Sequence, residues 1–254
     1  MSITLNGTTG VTTSGLTSNG IDDNATSTAI TIDASENVGI NTSSPNSYYA
    51  KKLVVDCGTD GQNGITIKSS TTGAGMFAFA DGTSGSDRYR GYINYNHAND
   101  SMTLGTAGGA GVLTIDATGA VTMPAQPAFA ATRSQGHVGD STYYICPNVY
   151  YNKGNHYNAS TGTFTAPVAG IYAIATNFMT LTTVVETNQF YEIRINDGYF
   201  QMVYDSGTTA AHYRFSWAGN VSLAANDTVR VYTGNVNLYG GDNKYSYFSA
   251  ALLG

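Results

Sequence analysis

The chain is short of ionic charge. Asp, Glu, Lys and Arg make up 11% of its 254 residues, less than half of the ~25% usual for a soluble domain. That excludes long charged helices and disorder of the high-charge kind. Seventeen acids against eleven bases give a net charge of −6, which is no footprint for a phosphate backbone, so nucleic acid is not an expected partner. Long apolar runs are missing too: none approaches the ~18 residues of a membrane-spanning helix, and no membrane insertion is expected. The start, Met1-Ser2-Ile3-Thr4-Leu5-Asn6, has no basic leader, and the chain is read as soluble without a secretion signal. Cysteine is scarce. Cys57 and Cys146 lie 89 positions apart, in segments read below as different domains, so two buried or idle thiols are expected rather than a disulfide.

What is abundant is Gly (30) and Tyr (19), among many Thr, Ser and Asn. Residues 1–50 contain no Lys or Arg and only Asp22, Asp23, Asp33 and Glu36 as acids, residues 51–124 are nearly balanced, and residues 125–254 hold fourteen of the nineteen Tyr and the only Trp, Trp217. Three parts follow: 1–50, a middle β-rich module at 51–124, and an aromatic-rich part at 125–254, with a linker around Pro124 and Pro127. In the first part, Ile3 to Leu16 places β-branched residues between glycines, a strand-and-turn ribbon with too few apolar side chains to offset an ordering cost of ~1–2 kcal/mol per residue. It must lean on other copies or on a partner.

A short repeat links the first two parts. Ile30-Thr31-Ile32-Asp33-Ala34-Ser35-Glu36-Asn37-Val38 returns 83 residues later as Leu113-Thr114-Ile115-Asp116-Ala117-Thr118-Gly119-Ala120-Val121, with five of nine positions identical. Each copy reads as a strand, a tight turn in which the Asp bonds its own backbone, and a second strand. The middle module offers antiparallel strands at Leu53–Val55, Gly64–Lys68, Met76–Ala80, Arg90–Tyr95 and Ser101–Leu104. From Phe129 onward strands recur every 8 to 12 residues, as in a β-sandwich or jelly roll. Tyr191, Ile193 and Ile195 alternate onto one face, as do Val229 and Val231, and Tyr172, Ile174 and Phe178. The Ala and Asn positions between that last set could lie against a neighbouring subunit.

No catalytic constellation is visible: no His-Glu-x-x-His, phosphate loop, Gly-x-Ser-x-Gly elbow or Cys-x-x-Cys pair. His97, His137, His156 and His212 are scattered, so no metal or cofactor is expected, and Gly105–Gly111 is a turn without a following helix. Glu192 alternates with Arg194 on one strand, which reads as a cross-strand ion pair rather than half of a catalytic carboxylate pair. The chain is not expected to be an enzyme. Aromatic rings beside amides and carboxylates suit sugar, and the binding candidates in loops or at strand ends are Tyr143, Tyr144, Asn155, His156, Tyr204, Asp205, Tyr239, Asp242, Asn243 and Lys244. The glycine-kinked stretch Asn237–Lys244 is the best of them.

Phe129-Ala130-Ala131, Tyr151-Asn152-Lys153-Gly154-Asn155-His156-Tyr157-Asn158, Thr161-Gly162-Thr163-Phe164-Thr165-Ala166-Pro167-Val168-Ala169-Gly170-Ile171-Tyr172 and Tyr247-Phe248-Ser249-Ala250-Ala251-Leu252-Leu253 resemble the globular head of complement component 1q and its tumour necrosis factor relatives. Asn226-Asp227 stands where the family has Gly-Asp, and Ala250 where it has Gly. The resemblance implies a ten-stranded antiparallel jelly roll, a tight homotrimer, binding by surface loops, and a final strand inside the sheet. Ile3–Val11, Ile30–Ile40, Ser43-Ser44-Pro45 and Gly91–Met102 are similar to phrases in tail fibres of tailed bacteriophages of marine and cyanobacterial hosts. Together the two resemblances imply an all-β trimeric tail fibre located in the virion and assembled in the host cytoplasm. Its N-terminus would be held by a phage tail or baseplate protein, and its head would bind a host cell-surface glycan. A virion structural protein without receptor function is the alternative, and a glycan depolymerase a third.

Overall fold

The computed structural model describes residues 29–59, 61–107, 109, 111–181, 189–205, 212–234 and 236–254; the ribbon expected over residues 3–16 lies outside them. Among the described residues there is no α-helix, only strands and three 3-10 turns, consistent with Gly and Thr standing where helix formers would be needed. The chain packs as two compact units, residues 1–68 and 69–254. Both cysteines are free thiols. Cys57 is exposed and Cys146 buried, where burial pushes its thiol up to about 12.

In the first unit β1 (Ile30–Ile32), β2 (Val38–Ile40) and β3 (Leu53–Val55) form one sheet in that order. β1 and β2 are antiparallel, but β3 lies parallel to β2, so Leu53–Val55 belongs to this sheet and not to the antiparallel module expected from the sequence. The crossover packs directly on β2: a Cβ on Gly39 would sit 2.5 Å from the Thr42 carbonyl oxygen, and only glycine fits there.

The two repeat copies are the same hairpin. Asp33 Oδ1 accepts from the N–H groups of Ser35 (2.8 Å) and Asn37 (3.0 Å), and Asp116 Oδ1 from those of Thr118 (2.8 Å) and Ala120 (3.0 Å). In each, the Asp N–H donates to a carbonyl four residues on, and its own carbonyl accepts from the residue three on. The left-handed turn position is Glu36 (φ 60) in one copy and Gly119 (φ 84) in the other. Bonds from Asn37 hold the Asp33 carboxyl below the usual carboxylate range, and bonds from Thr118 and Ala120 do so for Asp116.

The second unit begins with a meander, β4 (Ala74–Phe79), β5 (Gly91–Asn96), β6 (Ser101–Gly105), β7 (Gly111–Ile115) and β8 (Val121–Thr122), paired antiparallel in chain order. Gly64–Lys68, expected as a strand, forms none. Its alternating Ile65 and Ile67 remain 58% and 40% exposed, and alternation without a pairing partner leaves the backbone to solvent.

Eleven strands follow in the described residues: β9 (Ala128–Thr132), β10 (Thr142–Tyr143), β11 (Asn148–Lys153), β12 (Tyr157–Asn158), β13 (Thr163–Thr165), β14 (Gly170–Met179), β15 (Gln189–Ile195), β16 (Gly198–Asp205), β17 (Arg214–Leu223), β18 (Thr228–Gly234) and β19 (Ser246–Leu252). They make a sandwich. One sheet runs β11-β9-β19-β14-β17, the other β12-β13-β18-β15-β16 with β10 also on β18, a jelly roll in which the last strand sits between β9 and β14. Between the sheets the predicted inward sets meet: Tyr172, Ile174 and Phe178 against Tyr191, Ile193, Val229 and Val231, all at most 1% exposed. Phe129 stacks on Tyr157 at 4.2 Å and meets Phe248 edge-on at 4.9 Å.

Candidate functional site

Register defines two ends of the sandwich. At one, here the apex, Phe178 pairs with Phe215 and Ser246, and Met179 with Arg214. At the base, Gly170 pairs with Leu223, Tyr172 with Leu252, and Ala128 with Lys153. The stretch from Asn237 to Tyr245 crosses the apex. It is pinned by the Tyr239 N–H donating to the Met179 carbonyl (2.7 Å) and by the Gly240 N–H donating to His137 Nδ1 (3.2 Å). A Cβ on Gly240 would overlap the Gly136 carbonyl oxygen, so the two apical loops lie backbone to backbone.

This packing builds an aromatic cluster around the half-buried Tyr239. His137 stands 4.9 Å from its ring, Tyr245 meets it edge-on at 5.1 Å, and His212 does so at 5.9 Å. The Arg214 guanidinium lies 5.7 Å from the Tyr245 ring. Asp242 caps the short turn after it by accepting from the Lys244 N–H (3.0 Å), and its other oxygen lies 3.5 Å from Lys244 Nζ. The apex therefore offers ring faces, two imidazoles, a carboxylate and a mostly exposed ammonium. The sequence singled out Tyr239, Asp242 and Lys244. It missed their companions His137, His212, Arg214 and Tyr245, which arrive from separate stretches and share no spacing.

The remaining candidates disperse. Tyr144 is 1% exposed and donates its hydroxyl to the Tyr239 carbonyl (3.0 Å). It is core, because it points to the opposite face from its neighbour Tyr143, and burial pushes its phenol up. Asn243 is structural: its Oδ1 accepts from Thr132 Oγ1 (2.9 Å) and Asn148 Nδ2 (2.8 Å). Asn155 and His156 follow Lys153 at the base, far along the sheet from Tyr239, and His156 borders an apolar hollow with Pro127, Val168 and Leu253. Tyr204 and Asp205 end β16, where they pair with Phe190 and Gln189; their side chains lie outside the described residues.

Tyr143 belongs to a second cluster, on the water-facing side of the β18 sheet. Its hydroxyl donates to Asp197 Oδ1 (2.7 Å), and the Arg230 guanidinium lies 3.3 Å from its ring centroid. Arg194 lies 3.5 Å from the Tyr232 ring centroid and 2.7 Å from Glu192 Oε2. Arg194 and Arg230 are direct cross-strand partners, a repulsive pairing that the two rings and two carboxylates offset. The Tyr143 hydroxyl, with Arg230 beside it, holds the Asp197 carboxyl below its usual range. The Glu192–Arg194 pair lies along one strand, not across two as expected. With Asp227 bonded by Asn196 Nδ2 and the Ala224 N–H, Glu192, Asp197 and Asp227 all serve the fold. Among the described residues no three His, Cys, Asp or Glu side chains cluster as metal ligands, and no helix is long and apolar enough to cross a membrane.

The outward side of the other sheet is different again. Its register lines up Tyr151, Ala130, Ser249, Ala175 and Ala218 in one row across all five strands, with Ala128, Ala251, Ala173 and Asn220 in the next. Across β9, β19, β14 and β17 these two rows carry no charge; Lys153 on β11 completes the second, opposite Ala128. Asn177 Oδ1 is buried on this side with no hydrogen-bond partner.

The family model described as the C1q domain matches residues 128–253. Residues 128–253 are a C1q/TNF-like domain. Solved structures similar to the chain include the globular domain of a zebrafish complement 1qA protein, at 15% identity over 51% of this chain and 98% of that one, with a TM-score of 0.42. Eiger TNF from S. frugiperda is similar at 12% identity over 51% and 93%, TM-score 0.42, and murine APRIL at pH 8.5 at 13% over 50% and 99%, TM-score 0.39. No curated protein matches the chain. The C1q-like head thus accounts for β9 to β19, and its apex carries the aromatic cluster.

Proposed function

We propose that three copies of this chain join through the C1q-like head into a tail fibre of a tailed bacteriophage, and that the apical loops bind a host cell-surface glycan. C1q/TNF-like domains are commonly trimeric binding modules. The observation that carries the reading is the uncharged small-residue face of the β9-β19-β14 sheet. Interface cores are depleted in charge, and the small Ala and Ser side chains of these rows let a neighbouring copy approach closely. Assembly about a common axis leaves the apical Tyr239, Asp242 and Lys244 free in triplicate. Three weak sites per head, and several heads per particle, raise avidity by ~10²–10⁴ without a new contact. The tail-fibre assignment draws on the phrases around Ile30–Ile40 and Gly91–Met102. The N-terminal segment would attach to a tail or baseplate protein of the virion.

The test uses the purified full chain. Sedimentation should give a trimer, and the trimer should bind host cells and block phage adsorption. Replacing Tyr239 and Asp242 together by Ala should lower cell binding at least tenfold while leaving the trimer intact. Unchanged attachment removes the apical site. A trimer that binds no host cell at any concentration indicates a structural virion component, and release of reducing sugar from host polysaccharide a depolymerase.

A further inference from the structure

The β4–β8 meander is a single layer with one apolar face, and among the described residues nothing seals that face. Its register puts Phe77 opposite Ile93, Ile93 opposite Leu104, and Leu104 opposite Leu113, so all four lie on the same side. In the next rows Phe79 and Met102 join them, with Ile115 and Val121 beyond. The reverse side carries Met76, Asn94, Thr103, Thr114 and Thr122 in its central row, four polar residues beside one apolar one. Yet Phe77 is 50% exposed, Phe79 64%, Ile93 42% and Val121 57%. At about 150–250 Å² for a fully covered aromatic ring, the two Phe alone leave roughly 200 Å² open. With their aliphatic neighbours the patch approaches ~500 Å², the size of the largest patches on ordinary monomers.

We propose that this face is covered by the same face of the other copies of the chain, so that the meander is itself an assembly surface. The proposal rests on the trimeric reading of the head and names the residues that extend it toward the N-terminus. Two observations select another copy as the occupant. The face carries no charge, so it is self-complementary. And only residues 123–127 separate β8 from β9, a tether of at most ~18 Å at ~3.6 Å per residue, itself tied down by Gln126 Nε2 donating to the Leu252 carbonyl (2.6 Å) and by the Leu252 N–H donating to the Pro127 carbonyl (3.0 Å). Once heads assemble, the meanders of neighbouring copies are held together at an effective concentration that ~500 Å² of apolar contact readily exploits. That area is more than half of the ~800 Å² per partner in a specific interface.

The test uses the full chain with Cys57→Ser, to which Ile93→Cys, Leu104→Cys or Leu113→Cys is added singly, with Thr103→Cys as the reverse-side control. Thiol oxidation followed by non-reducing electrophoresis should give covalent dimers for at least one of the three face positions and none for Thr103→Cys, since each chain then has one accessible thiol and forms one disulfide. Alkylation of the face thiols should be at least tenfold slower than that of the control. If sedimentation shows a trimer but the face thiols alkylate as fast as the control, or are protected without any cross-link, this inference falls while the trimeric head stands; protection without cross-linking would mean a different protein covers the face. If sedimentation shows a monomer, the reading beneath it falls as well.

Discussion

The head and the meander obey the same alternation of apolar and polar residues and reach opposite outcomes. In the head, the side chains of β14 find those of β15 and β18 across a sandwich, and Tyr172, Tyr191 and Phe178 are sealed. In the meander, Phe77, Ile93 and Leu104 alternate just as cleanly, but among the described residues no second layer seals them, and they remain 50%, 42% and 38% exposed. The small β1–β3 sheet repeats the second outcome, with Ile30, Ile32 and Leu53 59%, 71% and 63% exposed. Alternation alone therefore tells which face of a sheet is apolar; whether a second layer of the same chain covers it is decided by topology.

The sharpest way to break this contrast is to remove β19. Deleting residues 246–254 takes the strand between β9 and β14 together with Phe248, and should abolish soluble trimers in light scattering; a normal trimer would show the topology to be wrong. Next in size is a matched pair of truncations. Phe248→Ala, in the sealed layer, should cost about 3–5 kcal/mol in urea unfolding of the head, whereas Phe79→Ala, on the open layer, should leave the head transition within ~0.5 kcal/mol. Smaller still is the contribution of the water-facing Arg and Tyr cluster. A double-mutant cycle of Tyr143→Ala and Arg230→Ala should return a coupling of ~0.5–2 kcal/mol, the range of cation–π contacts from exposed to partly desolvated.

The smallest effect concerns the paired Asp hairpins. Because the Asp33 and Asp116 carboxyls are held below their unfolded value of ~3.9, their contribution is complete above that value and is lost as pH falls through the folded one. The Thr118 amide resonance should stay constant from neutral pH to about pH 5 and move only below ~pH 4; movement centred above pH 5 would contradict the hydrogen bonds described.

Much of this was legible from the residues. The Asp turns could be read because a short carboxylate reaches its own backbone whatever surrounds it, and the strands of the head because β-branched and aromatic residues alternate there without interruption. What escaped depended on partners distant in sequence. β3, the apolar run Leu53-Val54-Val55, carries no sign of its pairing direction and lies parallel to β2, since the crossover through Pro45 returns the chain to the start of that strand. Tyr143 and Tyr144 are adjacent and look alike; one stacks under Arg230 and the other is core, a division that period two implies once a strand is placed but does not assign. The apex was half visible. Tyr239, Asp242 and Lys244 share one glycine-rich stretch, but His137, His212 and Tyr245 converge on them only through loop packing.

The central place of β19 also sets a sequence of events during synthesis. Neither neighbour of that strand can complete its ladder until residue 252 has cleared the ribosome, so the head closes after every upstream strand is already available. Pairing between chains would then begin at the head and run backward along the meander, and a chain cut short before residue 246 would never enter the assembly.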